Sequence, residues 1–225
     1  MTRTRFHQEL DELKHRILAM AGMAEQAVDL AVQAYSQRDL AMCQRVLNNE
    51  PAINRAEREV DEFAVDLLAM QQPMAIDLRF ILAVIKINAD LERVGDQAVN
   101  IAQRVMNMIE LSPTDLPVDI PAMAGRVRAM IRDALRSFIE GDTELAKHVL
   151  EADDEIDRMN HEAFAELSRC MQSKPDSAAQ ALDALSIARN LERVADHATN
   201  IAEDVIFWVR GADVRHGAGH SFAGS

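Results

Sequence analysis

Carboxylates recur at helical spacing in two places along this 225-residue chain. Glu92, Asp96 and Asn100 stand at i, i+4 and i+8, and Glu192, Asp196 and Asn200 repeat the set. On a helix turning about 100° per residue, each set forms one polar stripe. Asp153 and Asp157 form another pair upstream, and their first-copy matches are Glu50 and Asn54. Two readings of these acids are open. They form a solvated face, with those near 50 and 153 stabilised at a helix N-terminus. Alternatively they are oxygen-rich clusters suited to Mg²⁺, Mn²⁺, iron or Zn²⁺, with ligands from facing helices. Arg93 and Arg193 are expected to project to a different side from the stripes.

Other chemistry is sparse. Glu12 and His15 make the single E-x-x-H, whereas a ferritin-like di-iron site takes that motif from two helices. H-E-x-x-H, a Walker loop, G-x-G-x-x-G and G-x-S-x-G are all absent from the sequence. His197 follows Asp196 directly, so it is expected to point elsewhere, to the surface or a partner. Cys43 and Cys170 are isolated and suggest reduced thiols.

The elements that must position the stripes come in duplicate. Residues 91–102 and 191–202 are identical at nine of twelve positions, and a weaker match at an offset of 103 links the regions near 39–53 and 142–156. A period near 100 fits duplication of a small domain. Val84, Ile87, Leu91, Val94, Ala98, Ile101 and Val105 follow alternating three- and four-residue steps, the rhythm of a packed helical seam. Positions 184 to 205 repeat it. Pro113, Pro117 and Pro121 mark a connector between the copies. Each half is predicted to hold a long helix (5–36, 120–140), a short one (39–47, 142–151) and two more long ones (51–71 and 76–110; 154–173 and 177–210). Pro51 then sits at a helix start. The expected fold is all-α, two tandem pseudo-symmetric three-helix bundles over 1–110 and 120–212, with a flexible tail at 213–225.

Composition agrees with helix: 48% hydrophobic, 4% aromatic, 12 Met. The net charge of −13 argues against reading a phosphate backbone and against docking by charge on anionic lipid. No stretch is apolar and long enough to span a bilayer. A cytoplasmic protein is expected, with no nucleic-acid partner.

These residues resemble the PhoU family, accessory proteins of phosphate-specific transport. The resemblance rests on the tandem Glu92-Arg-Val-Gly-Asp96 and Glu192-Arg-Val-Ala-Asp196, on Gln72-Pro-Met-Ala-Ile-Asp-Leu-Arg79, and on the ending Trp208 to His216. It implies two three-helix bundles, E(D)-x-x-x-D metal motifs in some members, and negative control of the phosphate-starvation response. The partners it implies are a sensor histidine kinase and the ATPase subunit of a phosphate ABC transporter; a homodimer is also expected, and any membrane association would run through partners. Asp153, Asp157, Glu192 and Asp196 match the full acidic pattern, as do Glu92 and Asp96, and Glu50 matches a first acid. Asn54 places an amide where the pattern has a carboxylate, Ala195 replaces glycine, and the D-L-R element has no counterpart near Ser177. With one charge fewer, the first half is expected to hold a hard cation more weakly. A signalling adaptor is the favoured function, and a carboxylate-bridged di-iron enzyme is the alternative.

Overall fold

A computed structural model describes residues 3–71 and 73–211. The expected tail at 213–225 lies outside them. Six long helices follow in order: α1 (Arg3–Gln37), α2 (Leu40–Gln71), α3 (Ile76–Ile109), α4 (Ile120–Glu140), α5 (Thr143–Ser173) and α6 (Ala178–Arg210), with one 3-10 turn at Pro175–Ser177 before α6. Helices α1–α3 pack on one another, as do α4–α6, giving the two three-helix units that the duplication implies.

The short helices expected at 39–47 and 142–151 are corrected: each is the first part of a longer helix. α2 runs through Pro51. The proline costs one N–H bond to the carbonyl four residues back. Pro51 is exposed, so water can satisfy that carbonyl, while Cys43 and Val46 before it and Ile53 and Val60 after it are buried in the core. Apolar contacts on both sides keep the segment helical. In α5, Val149 and Ile156 do the same across the supposed break. The upstream acids therefore stand in mid-helix, about ten residues past α2 and α5 starts, too far for the helix dipole to stabilise them.

Both α1–α2 and α4–α5 corners use one device. Arg38 (φ 52°) and Gly141 (φ 64°), at matching positions, adopt the left-handed conformation. Asp39 and Asp142 then cap the next helix: Asp39 Oδ1 accepts from the Ala41 and Met42 amides, and Asp142 Oδ1 from Glu144 and Leu145. Glycine takes that conformation freely. Arg38 does so with its guanidinium donating to the carbonyls of Met108 (2.5 Å) and Leu111 (2.6 Å) at the end of α3.

The most extensive helix contact joins the halves, α3 on α6. Lys86 pairs with Asp204 (2.9 Å), Asp90 with His197 (2.9 Å), and Arg104 with Asp183 (3.6 Å). As one number rises the other falls, so the helices are antiparallel. Val94 and Val194 lie midway, marking an approximate two-fold axis between the repeats. At one end Phe80, Phe138 and Trp208 form an aromatic cluster, with ring centroids 5.2–5.7 Å apart. Arg79 Nε donates to the Trp208 carbonyl at 3.1 Å. The Asp77-Leu78-Arg79 element thus helps to fasten one half to the other.

Because α2 is a single helix, Pro51→Ala should stabilise the protein, by up to about 3 kcal/mol in urea unfolding, as alanine replaces proline in a helix interior. No gain, or a loss, would mean that the chain breaks at Pro51.

Candidate functional site

In each half the carboxylates line the junction between the second and third helices. In the second half, Asp153 and Asp157 on α5 face Glu192 and Asp196 on α6 closely enough to perturb one another. Asp153 is pushed up from 3.8 to about 6, by burial first and then by Asp157, Asp196 and Glu192. Burial also raises Glu192, followed by Asp196 and Asp157. Asp196 is raised by burial and then by Asp157. Asp153 Oδ1 is buried with no hydrogen-bond partner.

In the first half, Glu92 is raised by burial, then by Asp96, Glu57 and, more weakly, Glu50. Glu57 was not singled out from the sequence. The signal was available: 50, 54 and 57 lie on one helix face and match 153, 157 and 160. The first copy reads Glu, Asn, Glu where the second reads Asp, Asp, Asn. The amide and the acid have exchanged places, so each half offers four carboxylates and the expected charge difference disappears. Gly95 sits beside this cluster, where a Cβ would lie 3.1 Å from Ile53 Cδ1. The missing methyl lets α2 lie close to α3, whereas Ala195 stands at the matching place in α6.

The stripes lie about 100° around α3 and α6 from the residues that join the two helices. A two-fold axis between antiparallel helices keeps both stripes on the same face. Arg193, expected to point away, lines the same groove as Glu192 and Asp196. His197, expected at the surface or on a partner, is only 15% exposed and contacts Asp90 of the other half. Glu12 of the lone E-x-x-H is paired with Arg16 at 2.8 Å.

Among the described residues, no three His, Cys, Asp or Glu side chains converge on a point that would ligate one ion. The donor chemistry nevertheless fits a hard cation: it is all oxygen, four acids in each half, with an unpartnered buried oxygen on Asp153. In the second half Asp153, Asp157, Glu192 and Asp196 would hold such an ion, and in the first half Glu50, Glu57, Glu92 and Asp96 would. Its charge would relieve the repulsion that raises their pKa values.

The PhoU domain family model matches residues 17–105 and 120–205, one copy in each half. The chain belongs to the PhoU family. It is 42% identical over 213 residues to a phosphate-specific transport system accessory protein PhoU homologue of Pseudomonas putida, covering 94% of this chain and 83% of the relative. It is 38% identical over 208 residues to the homologue of Rhizobium meliloti, covering 92% and 88%. The crystal structure of PhoU from Pseudomonas aeruginosa superposes with a TM-score of 0.88 at 37% identity, covering 92% of this chain and all of that one. A PhoU structure from Streptococcus pneumoniae, titled a phosphate transport system regulatory protein, gives 0.86 at 27% identity, covering 93% and 99%. Both confirm the all-α PhoU fold. These names are regulatory, and the di-iron enzyme alternative finds no support in them.

A carboxyl whose pKa is higher folded than unfolded binds its proton more tightly in the native state. The contribution of Asp153 is therefore favourable below about pH 4 and is lost as pH rises through about 6. Asp153→Asn should make the chelator-treated protein more stable than the parent at pH 7–8, with the difference closing towards pH 4. A difference that stays constant across that range in thermal melts would contradict the assignment.

Proposed function

We propose that this PhoU protein is a negative regulator of the phosphate-starvation response and a modulator of phosphate uptake. It acts in the cytoplasm as a non-catalytic adaptor between the ATPase subunit of a phosphate ABC transporter and a sensor histidine kinase, and reaches the membrane only through those partners. Self-association into a homodimer is part of the same proposal. The observation that carries the reading is the match over more than nine-tenths of this chain, in sequence and in fold, to proteins named as accessory and regulatory components of phosphate transport. Two features support action through protein contacts. The net charge is −13, which is unsuited to a promoter. Among the described residues, no helix is long and apolar enough to cross a membrane.

Deleting the gene should switch on starvation-induced genes in phosphate-rich medium, measured with a reporter. Glu192→Gln with Asp196→Asn should reproduce part of that loss while helical circular dichroism is kept. An unchanged phosphate response after deletion would overturn the adaptor reading. Full repression by the folded double variant would remove only the stripe from it.

The acidic clusters form part of the proposal as divalent-cation sites, with Mn²⁺, iron, Mg²⁺ or Zn²⁺ as occupants. With four carboxylates in each half, the two halves should bind Mn²⁺ with comparable affinity, and Glu57→Gln should weaken the first-half site about tenfold, since ligand charge tunes affinity. Calorimetric titration of the full chain against the Glu57→Gln and Asp157→Asn variants measures both. If Glu57→Gln leaves the titration unaltered, Glu57 is no ligand.

A further inference from the structure

The approximate two-fold axis gives each end of the α3–α6 seam a counterpart, and the two ends have diverged. At one end Phe80 of α3, Phe138 of α4 and Trp208 of α6 pack as aromatic rings, with centroids 5.2–5.7 Å apart. The matching residues at the other end are Gln180 of α6, Tyr35 of α1 and Met108 of α3. Only one ring of the three remains. A cavity of about 370 Å³ lies there, beside the connector, a volume within the range of roughly 300–1,000 Å³ that small-molecule sites occupy. Its walls include Tyr35, Arg38 and Met108 of the first half, Leu116 of the connector, and Pro121 and Gln180 of the second half.

The polar groups of that wall are unevenly used. Gln180 is only 4% exposed, and its Nε2 donates to the Ser112 carbonyl (2.6 Å) and to Thr114 Oγ1 (2.9 Å). The first of these bonds identifies the amide nitrogen, because a carbonyl can only accept. Gln180 Oε1 is left buried with no hydrogen-bond partner, a state that folded proteins seldom tolerate. The terminal amide torsion of glutamine is soft, so the carbonyl can turn to meet a donor that enters the cavity. Tyr35 adds a half-buried ring. Burial first, and then Asp119, raises its pKa, so the hydroxyl keeps its proton and can donate. That hydroxyl makes no hydrogen bond among the described residues. Arg38 spends Nη2 on the carbonyls of Met108 and Leu111.

We propose that this cavity binds a small, uncharged, planar N-heterocycle of one or two fused rings, whose ring N–H donates to Gln180 Oε1. The ring lies against Tyr35 and Met108, in the place that the Trp208 indole takes at the opposite end. A second ring nitrogen or a carbonyl of the ligand accepts from the Tyr35 hydroxyl. The Trp208 side chain supplies the pattern, being flat and apolar with one N–H at its edge. Arg38 and Asp115 line the wall together, so it favours neither sign of charge. The ligand would touch both repeats and the connector between them. This inference goes beyond the regulatory reading and does not rest on it.

The test uses full-length protein and two probes, benzimidazole and 1-methylbenzimidazole, titrated at pH 8 by ligand-observed NMR. Benzimidazole carries one ring N–H and one acceptor nitrogen; the methyl group removes the donor and keeps the ring. Benzimidazole should bind saturably, at least tenfold more tightly than its methylated analogue. Gln180→Leu should weaken benzimidazole about tenfold and erase the difference between the two probes. Met108→Trp with Gln180→Phe, which rebuilds the aromatic pair of the opposite end, should abolish binding while helical circular dichroism is kept. A cavity that holds only water gives no saturable binding, and that result would overturn the proposal. So would equal binding of the two probes to the parent, a preference that persists in Gln180→Leu, or undiminished binding by the folded double variant. If a variant fails to fold, the comparison of the two probes on the parent protein decides by itself.

Discussion

Val84, Ile87, Leu91, Val94, Ala98, Ile101 and Val105 on α3, and their counterparts on α6, are buried in one continuous core that both repeats share. Keeping these two apolar helices out of water requires that they pack on each other as well as on their own bundles. The antiparallel arrangement does this and leaves Lys86, Asp90, Asp183 and Asp204 beside opposite-charge or hydrogen-bonding partners. Buried charges are costly without such partners, so these pairs favour one register over its neighbours. The position of every other helix follows. α1 and α4 pack against the central pair and touch each other, and α2 and α5 each flank one side of it. The two acidic stripes share a face because the axis through this seam makes them share it.

The carboxylate clusters lie against the grain of stability. Burial and like charge raise Asp153, Glu92, Glu192 and Asp196, so ionising each of them in the folded protein costs free energy. A structure held by its apolar core can tolerate such sites. Functional sites are where perturbed titration of this kind collects.

Duplication has preserved the backbone and let the surfaces diverge. The exchange of Asn54 and Glu57 for Asp157 and Asn160 keeps four acids on each side with different spacing. At Gly95 a Cβ would lie 3.1 Å from Ile53 Cδ1, whereas Ala195 carries a methyl at the matching place. Asn88 ties α3 to the Glu57 carbonyl and Asp61 of α2, bonds that Ala188 at the matching place cannot make. Similar helical scaffolds thus carry different side chains at matching positions.

The all-α class, the duplication, the α3 and α6 seams and the connector at the prolines were legible in the sequence, because helical periodicity and repetition are local properties of the chain. Glu92, Asp96, Glu192 and Asp196 were legible for the same reason, each pair being one turn apart on one helix. What local pattern could not decide was set by packing. Pro51 was read as a start, but buried contacts on both sides of it carry the helix through. His197 and Arg193 were assigned directions from their neighbours in sequence, whereas a contact with Asp90 on the opposite half and the shape of the α5–α6 groove fix where they point. Glu57 joins the first cluster only once α2 lies against α3, so its part depended on a distance between helices that no spacing along one helix contains.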